Sequence, residues 1–151
     1  HLLSACVALV LGTWMLAARK GTRSHKRIGY AYVASMLILN VTAFGIYRLF
    51  NGFGVFHIAA IVSCVGLVGG MVPVLLRSHG WFQLHMAFMY YSVMGLYAAF
   101  VSEVVTRIPG LNFGMMVGVG TAVVMFAGVF AFLAKRKRWT QTFDTPKKQS
   151  V

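Results

Sequence analysis

Long apolar runs fill most of this chain, and short polar or Gly- and Pro-bearing segments divide them. A membrane-crossing helix needs about 20 mainly apolar residues, within a range of about 17–25. On that measure the runs predict helices over 1–18, 28–49, 53–76, 81–105 and 113–134. The breaks fall at 19–27, 50–52, 77–80 and 106–112, the last containing Pro109-Gly110. Pro and Gly punctuate turns. Connections this short make neighbouring helices antiparallel. The expected fold is all-α: an integral membrane bundle of five transmembrane helices over 1–134. Four form an up-down core, the fifth packs beside it, and a polar basic tail follows at 135–151.

Composition agrees with the pattern. The chain is 59% hydrophobic and 11% charged, where a soluble domain carries about 25% charged residues. Its net charge of +12 raises nucleic acid as a partner, but the distribution argues against that. The bases stand in short clusters between apolar spans, as the positive-inside rule requires. With His1 placed outside, twelve of the fourteen Lys and Arg fall on the cytoplasmic side, and only Arg48 and Arg107 lie outside. The topology is therefore N-terminus outside, C-terminus cytoplasmic, and the partner is the lipid bilayer. The tail reads as a solvated segment touching anionic lipid. Cys6 and Cys64 sit in apolar runs as small buried hydrophobes. No CxxC or CxxCH pattern offers a thiol redox motif or covalent haem. The chain begins on His1 rather than Met, which points to processing or to upstream sequence, and no signal-peptide n-region or cleavage site is visible.

The chemistry lies in the histidines. Ionisable groups within membrane helices are costly and usually face a bundle interior or cavity. His1 and His57 fall near the outer ends of helices one and three, and His25 and His85 near the inner ends of helices two and four. His79 is a loop residue. In an up-down bundle helices one and three are diagonal, as are two and four. Each diagonal pair thus carries two histidines at one depth, the levels being about 20–25 Å apart by helix rise. Two facing imidazoles across an apolar slot are what a b-type haem needs. The inner pair is the better candidate, with Tyr30, Phe88 and Tyr91 as aromatics to line a macrocycle.

The outer level has a second reading. Glu103 lies 18 residues after His85, five helical turns, so both project from one face. His1, His57 and Glu103 would make a two-histidine, one-carboxylate site for a zinc, copper or iron ion. Equally, Glu103 pairs with Arg107 at i,i+4. Ser92 lies near the His85 face. Asn40 reads as interhelical glue, with a ligand contact as the lesser role. The methionines lack a tight cluster and read as packing. "GLVGGMVP" (66–73) reads as close helix approach and a kink, and the glycines of helix five read the same way.

The stretches "KGTRSHKRIGYAYVASMLILNVTAFGIYRLF", "FGVFHIAAIVS" and "LHMAFMYYSVMGLYAAFVSEVVTRIPG" resemble a family of bacterial membrane proteins catalogued as domain of unknown function 2306. The resemblance runs to about Pro109, and helix five and the tail carry little of it. It places the family's histidines on His1, His25, His57 and His85, and its other positions on Asn40, Ser92, Glu103 and Arg107. "HKRIG" stands where the family often has His-Arg, which leaves the histidine intact. The resemblance implies a bacterial inner-membrane location and no particular reaction, because a fold alone does not choose a chemistry. The functional expectation is haem b, or a metal, held by paired histidines for electron transfer, with quinol as a candidate donor. The alternatives are an outer non-haem metal site and a non-catalytic accessory subunit of a larger membrane complex.

Overall fold

In a computed structural model, described over residues 1–45, 52–110 and 112–144, the described residues form five helices. They are α1 (Leu2–Ala17), α2 (Arg23–Gly45), α3 (Val55–Leu76), α4 (Trp81–Val105) and α5 (Phe113–Asp144). The expected end of the second helix, including Arg48, and residues 50 and 51 of the turn after it lie outside the described residues, as do Lys147 and Lys148 of the tail.

Four helices, α2 to α5, are long and apolar enough to cross a membrane. Helix α1 has 16 residues, about 24 Å at the usual rise. The outward faces are apolar, with Val62, Val65, Val68 and Leu75 of α3 exposed along it. At most 33% of any span's most apolar stretch is buried within the chain. In water such patches would drive association, whereas lipid tails cover them at no cost. Cys6, expected to be buried, is on this outward surface, and Cys64 is partly buried. The backbone is helical because hydrocarbon offers it no hydrogen-bond partner, so each segment satisfies its own N–H and C=O groups.

Two helices depart from the expected bounds. Helix α2 begins five residues earlier, at Arg23. The Thr22 hydroxyl accepts the His25 backbone N–H at 3.1 Å and the Thr22 carbonyl accepts that of Lys26 at 3.1 Å. Thr22 is thus an N-cap, and the basic residues 23–27, expected in a loop, occupy the first turns of α2. Helix α5 continues past Ala134 to Asp144. The apolar span ends as expected, but Lys, Arg and Gln are good helix formers and carry the helix on.

The chain divides into two compact units, His1–Tyr97 and Ala98–Val151, the division falling within α4. In the first unit the contacts fix an up-down arrangement. Gly12 of α1 meets Tyr32 of α2, and Met15 meets Gly29. Numbers rise along α1 as they fall along α2, so the two are antiparallel. Between α2 and α3 the same holds for Asn40 with Ser63 and Phe44 with His57. Between α2 and α4 the pairs are His25 with His85 and Tyr32 with Ser92, so those two helices run parallel and touch.

The core of this unit gathers Ala8, Tyr32, Met36, Leu39, Leu67, Val93 and Leu96 from α1, α2, α3 and α4. Close packing at Gly12 makes it possible: a Cβ there would stand 3.1 Å from Tyr32 Cε2 and 3.2 Å from Val93 Cγ1. Small residues at such crossings let membrane helices approach. Polar links join the same elements. The Tyr97 hydroxyl donates to Thr13 Oγ1 at 2.5 Å, whose own hydroxyl donates to the Leu9 carbonyl at 2.6 Å. Asn40 Nδ2 donates to Ser63 Oγ at 3.1 Å, the interhelical bond expected of an intramembrane Asn. In the second unit Ser102 of α4 lies 3.3 Å from Thr121 Oγ1 of α5.

Candidate functional site

The end of the first unit at which α1 and α3 finish and α2 and α4 begin holds the candidate site. Helix α1 ends at Ala17, and the Lys20 ammonium donates back to the Met15 carbonyl and, at 3.2 Å, to that of Leu16. A cation at the negative end of a helix dipole is favourably placed. Thr22 then caps α2, which makes His25 a first-turn residue with its backbone N–H engaged. On the other side, Arg77 adopts a left-handed conformation at the end of α3 (φ 49°) and Gly80 another (φ 71°). Glycine takes the second without strain. This tight turn starts α4 at Trp81 and puts His85 one turn in.

These two helix starts bring His25 and His85 together. Their ring centres are 6.5 Å apart and their planes 78° from parallel. His85 Nδ1 lies 2.8 Å from the Gly70 carbonyl oxygen of α3. A carbonyl only accepts, so Nδ1 carries the proton and Nε2 keeps its lone pair. The Nδ1 atom of His25 is buried with no hydrogen-bond partner among the described residues. A buried polar atom in that state leaves a place for a hydrogen-bond partner or a metal. Two helical turns up the same faces, the hydroxyls of Tyr32 and Ser92 bond at 2.9 Å and close the bundle above the imidazoles. Of the expected lining aromatics, Phe88 lies against Gly69 beside the pair, while Tyr30 is exposed.

His1 and His57, expected at the outer level, have different partners. His57 stands at the third position of α3, and its Nδ1 accepts the Gly54 backbone N–H at 3.1 Å while the Gly54 carbonyl accepts the His57 N–H at 3.0 Å. This is a reciprocal cap in the manner of a capping box. The ring stacks on Phe53 at 5.1 Å and meets Phe44 at 5.9 Å. An Nδ1 that accepts puts the proton of the neutral ring on Nε2, so ligation would require giving up the cap. His57→Gln keeps an acceptor at that position, and His57→Ala does not. The alanine variant should lose about 1 kcal/mol more stability, the usual worth of a cap. Thermal unfolding in detergent checks this, and equal losses would rule out the cap.

His1 is exposed, with Nδ1 3.0 Å from the Thr42 hydroxyl of α2. His79 is exposed in the α3–α4 turn. In the second unit Glu103 accepts from Arg107 Nη2 at 2.6 Å, and both side chains are exposed. Among the described residues no group of three or more His, Cys, Asp or Glu side chains gathers to hold a metal ion. Of the supporting residues, Ser92 stands above the inner pair, Asn40 joins α2 to α3, and Arg107 pairs with Glu103. Sequence reasoning missed the Gly70 carbonyl, the Thr22 cap and the Tyr32 hydroxyl. Thr22 was findable, because a Thr preceding a helix is a start signal.

Comparison with curated proteins and with solved structures gives no significant match in either. A family model does match, described as Predicted membrane protein (DUF2306), over residues 1–136. The match passes Pro109 and takes in most of α5. The chain therefore belongs to the DUF2306 family of membrane proteins, on the strength of a match that reaches into every helix and includes all five histidines.

Proposed function

We propose that this chain is a multi-pass protein of the bacterial inner membrane in which His25 and His85 hold one b-type haem for electron transfer. The observation that carries the reading is the His85–Gly70 bond, which leaves the Nε2 lone pair available. A metal-ligating histidine usually fixes its other ring N–H on a carbonyl or carboxylate in this way.

Donor number favours haem over a bare ion. Zinc sites take three or four protein ligands, whereas haem iron takes only axial ligands from the protein. Spacing supports the same choice. Two imidazoles on opposite sides of one metal, each nitrogen about 2 Å from it, have ring centres about 6 Å apart, against 6.5 Å here. Bound there, a haem supplies a one-electron iron couple, and a quinol is the proposed class of donor. The chain's own residues orient the ligands. Gly70 holds the His85 ring, Thr22 fixes the turn bearing His25, and the Tyr32–Ser92 pair closes the interior above them. The outer pair has no place in this reading, because the Nδ1 lone pair of His57 caps α3.

The orientation we propose puts His1 outside and residues 19–27, 77 and 135–138 on the cytoplasmic side. The positive-inside rule supports it. Helix α1 counts as a fifth span, its shortfall of a few Å absorbed by local thinning and flanking side chains.

The test is the haem and metal content of the protein purified in mild detergent, with an electron paramagnetic resonance spectrum of the oxidised form. One haem b per chain is expected, with the strongly anisotropic low-spin signal of near-perpendicular imidazole planes. No haem, or stoichiometric zinc, copper or non-haem iron instead, would overturn the reading. A second reading, an accessory subunit of a larger membrane complex, draws on α5. A Cβ at Gly118 would meet nothing within 4 Å among the described residues, and small residues on α5 would suit close approach by another membrane helix. Stable co-purification of a second membrane protein, without haem, would favour it.

A further inference from the structure

Pro73 lies inside α3. A proline there offers no N–H to the carbonyl four residues back, and its ring presses on that carbonyl, which belongs to Gly69. In a membrane helix, neighbouring groups must take up the backbone atoms so disturbed. The adjacent carbonyl, that of Gly70, accepts the His85 Nδ1–H at 2.8 Å. Two missing side chains allow this approach. A Cβ on Gly69 would stand 3.0 Å from Phe88 Cε1 and Cζ, and one on Gly70 2.8 Å from Met89 Sδ. Phe88 and Met89 form the turn of α4 that follows His85. The closeness is local, because a Cβ on Gly66, one turn earlier, would meet nothing within 4 Å among the described residues.

The geometry points to the 69–73 turn of α3 as a carbonyl seat that sets the tautomer of His85. With the seat in place the proton stays on Nδ1, and Nε2 is presented as a ligand. A carbonyl on Nδ1–H also makes the imidazole a stronger electron donor toward a bound metal. Gly69, Gly70 and Pro73 are thus positioning residues, which act through His85. The purpose of the seat rests on the reading of His85 as a ligand, but the tautomer measurement that tests it does not.

The experiment uses the full chain in lipid nanodiscs without added haem, with nitrogen-15 labelled histidine. Imidazole nitrogen spectra are recorded, and the His85 signals are identified by their loss in His85→Gln. His85 is expected with a protonated Nδ1 and a bare Nε2. Gly69→Ala and Pro73→Ala should move it to a mixture of tautomers, while Gly66→Ala keeps the wild-type spectrum. A wild-type His85 protonated on Nε2, or no response in either Gly69→Ala or Pro73→Ala, overturns the seat. In haem-loaded protein the reduction potential of Gly69→Ala should rise relative to Gly66→Ala, and an unchanged potential also overturns it. If the tautomers behave as stated and no haem binds, the seat stands and the haem reading fails.

Discussion

If His25 and His85 hold the haem as proposed, His85→Ala should abolish stoichiometric haem binding, and His25→Ala should do the same. The expected loss of affinity exceeds about 100-fold, because groups that merely orient a metal ligand already cost about 10–100-fold when removed. Haem per chain after purification, or titration of haem into apo-protein, measures it. Added imidazole should restore part of the binding to either variant by refilling the vacated position. His1→Ala and His57→Ala should retain the wild-type haem content. The contrast rests on the partner of Nδ1 in each ring. His85 gives Nδ1–H to Gly70 and keeps Nε2, and His25 has a buried Nδ1 with no partner among the described residues. His57 spends Nδ1 on the Gly54 N–H. Equal loss in all four variants would mean a general effect on folding.

Tyr32→Ala should destabilise the chain by about 3–5 kcal/mol, the usual cost of removing a buried aromatic ring. Tyr32 is 1% exposed, and its ring fills the notch over Gly12 between α1, α2 and α4. Hydrocarbon is already apolar, so the loss here is one of packing contacts and of a cavity left behind. Tyr32→Phe keeps the ring and removes only the bond to Ser92 at 2.9 Å. Interhelical hydrogen bonds in membranes average about 0.6 kcal/mol and reach about 1.7, so the phenylalanine variant should lose no more than that. Reversible unfolding in mixed micelles compares the two. Similar losses would show that the hydroxyl, and not the ring, holds the crossing. Because Tyr32 and Ser92 lie two turns above His25 and His85 on the same helices, the alanine variant should also weaken haem binding.

Apolar runs delimit spans well because their ends are set by solvation. The expected 81–105 matches α4 as observed, and α1 and α3 differ by two residues or fewer. Charge misleads at residues 23–27. Five polar or basic residues look like a loop, yet a single Thr22 cap is enough to wind them into α2. The inner pair was legible because helix parity and depth alone place His25 beside His85. The outer pair had the same arithmetic, but the ring of His57 is held by a backbone N–H. Backbone partners leave no mark in a sequence, and the Gly70 carbonyl was hidden for the same reason, although the "GGMVP" around it announced the close approach seen at Gly69 and Gly70. For Glu103 the i,i+4 spacing to Arg107 already named the partner that the structure records.

The reduced-minus-oxidised absorption spectrum of the purified protein tests the His25–His85 site most directly. Sharp bands of a six-coordinate low-spin b-type haem are expected in wild type, His1→Ala and His57→Ala, and their loss in His25→Ala and His85→Ala. A wild-type spectrum without haem bands, or bands that survive both inner substitutions, would contradict the account.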